Sequence, residues 1–302
     1  MDRPRLHGVD VARGLAVVGM LFVDNRGNSS IGTQFVHAPW HGLRVADVVF
    51  PVFLLVVGVS MPFSRRADRP RAVLVRVLKL AVLGVLVVGA KYGFDVVGAG
   101  VLGHIAGAYL LCWLLLRLAR RAQVPTAAGV LAVLTAVAVL LPVPGSGRTA
   151  VEPDLSWAHW FDDLLGLDFS AEAPHSYLPS AITVFLGVLA GRVLLDRGAR
   201  GALSWIVAGA GVLLVLGLLL APLLPVNKRL WTPSFVLVTG GSACWCWPRR
   251  SGWSTSAGCA GRSARPRCSA STPSWRSCCP SCCSGRCCGT GSSRWSTAGS
   301  PT

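Results

Sequence analysis

Residues 37–60 read HAPWHGLRVADVVFPVFLLVVGVS. The first part is loop-like, with His37, Pro39, His41, Gly42 and Arg44 close together. From Val45 to Phe63 the chain is almost wholly apolar, interrupted by one carboxylate, Asp47. A run of that length is long enough to cross a bilayer as a helix. The stretch therefore reads as a wet loop feeding a membrane span, with a charge at the point of entry. An ionisable group costs a few kcal/mol at the bilayer centre unless it is paired or wet, so one at the mouth of a span is a candidate for function.

The same pattern repeats outward in both directions. Apolar runs at about Val9–Asp24, Val45–Phe63, Val75–Tyr92, Gly100–Leu118, Thr126–Leu141, Tyr177–Leu195, Leu203–Leu224 and from Pro233 onward give eight candidate spans. Only 14% of the residues are charged, against about 25% in a soluble domain. The expected fold is all-α, a polytopic transmembrane helix bundle of about eight spans over residues 1–241. The N-terminus has the basic start of a signal peptide. Asp10 and Arg13 interrupt its apolar part and no small-x-small cleavage site follows, so it reads as a retained first span. The net charge of +16 does not indicate nucleic acid, because the basic residues sit at the ends of apolar runs rather than on a basic-aromatic surface.

Loop charge sets the expected orientation. Arg3 and Arg5 precede the first span, SRRADRPR follows the second, RLARRAQ the fourth and GRVLLDRGARG the sixth. The alternate loops are poor in base, and the longest, Pro144 to Ser176, carries Glu152, Asp154, Asp162, Asp163, Asp168 and Glu172 against Arg148. Lys and Arg mark cytoplasmic loops, which puts the N-terminus in the cytoplasm and the His37 loop outside, in a multi-pass protein of the plasma membrane. The loop PVNKRLWTP breaks the rule by placing Lys228 and Arg229 on the outer side.

Residues 242–302 differ from everything before them. They hold ten of the eleven cysteines, five of the eleven tryptophans and eight arginines, with no Asp, Glu or Lys. Runs such as SCCPSCCSGRCCG lack the paired CxxC spacing of a zinc site, and no metal is expected. The genetic code offers another account. If the true frame starts one base earlier, Cys and Trp codons become Leu, Val or Met, and the TCN codons of Ser become Leu, Val, Ile or Phe. The shifted tail becomes span material continuing from Pro233. The expectation is a frameshifted, disordered tail.

Five polar groups stand out. Asp10 and Arg13 share a helix face and read first as a structural ion pair. Asp24, Asn25 and Arg26 end the first span, where they either cap it or line a site. His37 is a loop histidine able to move a proton or take an acyl group, though a solvated histidine looks the same in sequence. Asp47, ten residues on, is of the type that orients an imidazole. Asn227, Lys228 and Trp231 form the anomalous outer loop, whose cation either binds an anionic group or snorkels to headgroups. GAGVLG, residues 98–103, matches a dinucleotide-loop spacing but runs into a span, and reads as small-residue helix packing.

VDVARGLAV, HAPWHGLRVADVVFPVFLLVVGVS, YLPSAITVFLGVLAGR and PVNKRLWTPSFVL resemble the heparan-alpha-glucosaminide N-acetyltransferase family, over about Leu6 to Gly241. The pattern H-A-x-W-x-G-x-x-x-A-D-x-x-F-P is long, and P-x-N-K-x-L-W-x-x-S-F supports it independently. The resemblance implies transmembrane acetyl transfer from cytosolic acetyl-CoA, as co-substrate, to an amino sugar on the extracytoplasmic side. It implies His37 and Asp47 as the catalytic pair, with Asn25, Trp40, Asn227, Lys228 and Trp231 binding substrate. Membrane lipids and the amino-sugar acceptor are the expected partners, with self-association left open. The chain departs from the family at Asp24, where many relatives have Asn, at His104, where many have a basic residue, and in the tail that replaces further spans. The alternatives are a transporter or flippase of a lipid-linked sugar, and an inactive truncated product.

Overall fold

A computed structural model of the chain describes residues 7–24, 32–93, 100–149, 151–167 and 169–245. Helices occupy all eight apolar stretches. They are α1 (His7–Asp24), α2 (Val45–Ser60), α3 (Pro70–Tyr92), α4 (Gly100–Leu116), α5 (Arg120–Leu140), the long α7 (Tyr177–Leu220) and α8 (Pro233–Trp245). Helix α7 accounts for two stretches because Gly198 breaks it with a left-handed φ of 68°. That conformation is open to glycine at no steric cost. Five segments are long and apolar enough to cross a membrane: Val45–Phe63, Pro70–Tyr92, Arg120–Leu140, Pro174–Gly198 and Arg200–Leu220. Gly100–Leu116 is apolar but shorter. The chain is thus a multi-pass, all-helical membrane protein.

Local chemistry explains the boundaries. Helix α3 begins on Pro70, whose missing N–H would be unsatisfied there anyway, and stops at Gly93 with φ 97°. Helix α2 begins where Asp47, in its first turn, accepts a hydrogen bond from the Arg44 backbone N–H at 3.2 Å. A carboxylate is also favoured there by the helix dipole.

Burial separates the centre from the periphery. In Val45–Phe63 and Pro174–Gly198, 61% of the most apolar window is buried, against 11–17% in the other three spans. Helix α2 and the first half of α7 therefore form the middle of the bundle. Phe50, Leu54 and Val57 pack with Ala181, Val184, Phe185 and Val188, and with Trp231, Phe235 and Val236. The backbones touch, because a Cβ on Gly58 would overlap the carbonyl of Val184 and one on Gly187 would overlap that of Leu55. Between lipid-immersed helices close packing replaces the hydrophobic effect as the attraction, and small residues permit it.

In GAGVLG, residues 98 and 99 lie outside the described residues and Gly100–Gly103 open α4. The acidic stretch from Pro144 to Ser176 holds more structure than a loop. Strands β1 (Val151–Glu152) and β2 (Leu155–Ser156) form a hairpin, with Val151 opposite Ser156. Helix α6 (Trp157–Leu164) follows, capped by the Ser156 hydroxyl, which accepts from the His159 N–H at 3.1 Å. Of the anomalous tail, residues 242–245 continue α8, and the remainder lies outside the described residues.

Candidate active site

The site is built at one end of α2. Asp47 is 1% exposed, and its two oxygens hold four groups. Oδ1 accepts from His37 Nδ1 at 2.8 Å, with Lys228 Nζ 3.9 Å away. Oδ2 accepts from the backbone N–H of Ala38 at 3.1 Å and of Arg44 at 3.2 Å. One carboxylate thus ends the helix, folds the preceding loop back over it and orients an imidazole. Arg44 reinforces the loop by donating from Nη1 to the His37 carbonyl at 3.1 Å.

The bond to Asp47 fixes the imidazole. Nδ1 carries the proton directed at the carboxylate, which leaves the Nε2 lone pair in neutral His37. Lys228 Nζ lies 3.2 Å from Nδ1 and 3.4 Å from Nε2. An atom in line with one ring nitrogen would be far from the other. These near-equal distances therefore put the ammonium beside the ring, out of line with the Nε2 lone pair.

The turn carrying Lys228 is held by Asn227, which is fully buried. Its Oδ1 accepts from the Arg229 N–H at 2.7 Å and the Leu230 N–H at 3.1 Å. Its Nδ2 is 3.4 Å from His41 Nδ1, and the Gly42 N–H donates to the Val226 carbonyl at 2.8 Å. These two contacts join the His37 loop to the Lys228 turn. Trp231 closes the turn at φ 48°, a rare conformation for an aromatic residue. Its ring is buried against Phe50, His104 and Phe235.

His37, Trp40, Asp47, Lys228 and Arg229 line a cavity of about 300 Å³, together with Phe169 to Glu172. Trp40 donates from Nε1 to the Val151 carbonyl at 2.8 Å, tying the hairpin to the rim. The structure thus brings His37, Trp40, Asp47, Asn227, Lys228 and Trp231 together. Asn25 lies outside the described residues. Asp10 and Arg13 are 3.6 Å apart on α1 and well exposed, where an ion pair contributes little. His104 is fully buried, with its ring nitrogens facing the Ser176 and Ser180 hydroxyls.

Two features escape the sequence reading, the place of Glu172 and the pairing of His175 with Asp162. Glu172, taken only as one of several loop acids, lines the cavity beside His37 and Lys228. Arg229, the second cation of the anomalous loop, shares that wall, with its guanidinium 5.9 Å from the Trp40 ring. His175 and Asp162 form a second buried pair at 2.7 Å, and His175 Nε2 reaches the Arg229 carbonyl at 3.0 Å. No spacing in the sequence signals that pair. Among the described residues no His, Cys, Asp and Glu cluster of metal-binding size occurs.

Comparison with known proteins follows the same lines. The family profile described as heparan-alpha-glucosaminide N-acetyltransferase, catalytic, matches residues 5–219. The human protein named heparan-alpha-glucosaminide N-acetyltransferase is 46% identical over 61 residues, covering 20% of this chain and 9% of that protein. The mouse protein of the same name is 36% identical over 97 residues, covering 29% of this chain and 14% of its own. The aligned segments are thus a small part of either relative. The profile spans most of the chain, including His37 and Asp47, and on that match the chain belongs to the heparan-alpha-glucosaminide N-acetyltransferase catalytic family.

Proposed function

We propose that this chain moves an acetyl group from cytosolic acetyl-CoA to the amine of an amino sugar on the far side of the plasma membrane, with His37 as the catalytic residue. The observation that carries the reading is the 2.8 Å contact between His37 Nδ1 and a buried Asp47. A carboxylate so placed orients the imidazole with the Nε2 lone pair unprotonated in the neutral ring and stabilises positive charge as it develops there. Asp47 is then a positioning residue acting through His37.

Two routes use the same atoms. In the covalent route Nε2 attacks the thioester carbonyl, the C–S bond breaks and the thiolate leaves to be protonated. The acceptor amine then attacks the acetyl-imidazole, the C–N bond to His37 breaks, and the amine's extra proton passes to solvent. In the direct route Nε2 takes the amine proton while the nitrogen attacks the thioester, the C–S bond then breaks, and the departing thiolate takes the proton back from His37. Either route builds an oxyanion, and the Lys228 ammonium beside the ring is placed to stabilise it. Trp40 lines the cavity, while the buried Asn227 and Trp231 hold the turn that carries Lys228. The basic cytoplasmic loops would attract the phosphates of CoA.

The family assignment favours this reading over a transporter or flippase. The reading also keeps the frame-shifted tail: the working protein would continue through further spans in the restored frame. The test is acetyl transfer from labelled acetyl-CoA to glucosamine in nanodiscs, run on the full chain and on the frame-restored gene, with mass spectrometry for acetyl-His37. Replacing His37 by Ala should lower transfer by about 10²–10⁴-fold, the usual worth of a positioned acid–base group. Unchanged transfer in that variant would overturn the assignment.

A further inference from the structure

A second cavity, of about 310 Å³, lies on the other side of the Lys228 turn. Its walls include Val137 of α5, Trp157 and Phe161 of α6, Leu178 of α7, and Leu230 and Trp231. The turn is two-faced, since Lys228 and Arg229 line the polar cavity beside His37 while Leu230 and Trp231 line this one. His175 also borders it, but both ring nitrogens are engaged, and the ring stacks on Phe169 of the polar cavity at 5.4 Å. One wall therefore serves both chambers.

The lining selects an occupant. A buried water needs two to four polar partners, and these walls are almost wholly apolar. Apart from His175, the polar side chains on the wall are Ser156 and Thr232, whose hydroxyls are already hydrogen-bonded within the protein. A hydrocarbon chain fits that description. The rim points to where the chain comes from. On α6, Trp157, Trp160, Phe161 and Leu164 recur at i, i+3, i+4 and i+7, with Asp162 and Asp163 between them. A short amphipathic helix carrying two tryptophans suits the headgroup layer of a bilayer. Phe161 and Leu178, both at the rim, are each 39% exposed.

We infer that the acceptor is a lipid-anchored amine. Its amino-sugar head enters the polar cavity, where Glu172 can meet the ammonium, and its chain lies in the apolar cavity between α5, α6 and α7. The inference rests on the acetyltransferase reading for its chemistry and on the apolar cavity for its substance.

The experiment compares glucosamine with dodecyl glucosaminide as acceptors in nanodiscs, alongside a diazirine-bearing alkyl glucosaminide as a crosslinking probe. The alkyl acceptor should show a KM at least tenfold lower. Ala138→Trp or Val137→Phe should erase that advantage while leaving transfer to free glucosamine unchanged. Equal KM values for the two acceptors would overturn the inference. If the frame-restored protein acetylates neither amine, the enzymatic reading fails and the probe still decides binding. Crosslinks at residues 134–138 or 157–161, competed by dodecyl glucosaminide but not by amine-free dodecyl glucoside, support the site. Crosslinks elsewhere, or equal competition by the amine-free glycoside, sink it.

Discussion

At the scale of single residues, Asp47 has the heaviest duty. It is buried with two backbone N–H groups, an imidazole and a nearby ammonium around it. Asp47→Ala should destabilise the protein by about 1–3 kcal/mol for each donor left unsatisfied, read as a lower thermal midpoint in detergent. Asp47→Asn keeps an acceptor for the backbone. It should retain most of the stability while losing transfer activity, because a neutral amide no longer stabilises a charged ring. A similar fall in both quantities in the two variants would argue that Asp47 is only a helix cap. Lys228→Met should lower transfer by about 10²–10³-fold, the cost of removing one oxyanion-stabilising donor, with Lys228→Arg partly restoring it.

The residue scale also shows what a sequence can carry. His37 and Asp47 are legible as residue types and through the family resemblance, while their spacing of ten leaves open whether they meet, and the structure supplies that contact. The approach of Lys228 is not a matter of local spacing, since 191 residues separate it from His37. Its sign gave it away, as a cation in a loop that should have none. Glu172 had no such mark, being one acid in an acidic loop. The His175–Asp162 pair depends on a helix, α6, that the loop's composition did not announce.

At the scale of elements, the contact of α2 with the first half of α7 positions the site. The eight helical stretches were readable because hydrophobic runs and basic loops are strong signals. Their ranking as central or peripheral was not, since α3 and α5 are as apolar as α2 yet far less buried. The difference lies in glycines: Gly58, Gly187 and Gly191 allow backbone approach at the α2–α7 seam. Gly187→Leu should force those helices apart and cost about 1–3 kcal/mol or more. Activity should fall with stability, because α2 carries Asp47 at its end. The check is a thermal melt followed by size-exclusion fluorescence, paired with the transfer assay. An apolar swap on the outer face of α3, such as Leu78→Val at 63% exposure, should change neither.

At the scale of the whole molecule, loop charge predicts which way the bundle faces. The charge rule puts the loop after α2 inside and the acidic stretch after α5 outside. Alkaline phosphatase fused after Gly147 should be active and fused after Ala67 inactive, while a fluorescent protein should give the opposite pattern. The reverse result would place His37 in the cytoplasm and remove the need for transfer across the bilayer.

The distance along the chain between His37 and Lys228 also has a consequence in time. At about 5–20 residues per second, the ribosome needs roughly 10–40 s to make the 191 residues between them. During that interval His37 and Asp47 have both been made. The ammonium and the turn that completes the pocket do not yet exist. A half-made chain would therefore be chemically quiet, and the last part of the site to be synthesised would act as its starting signal.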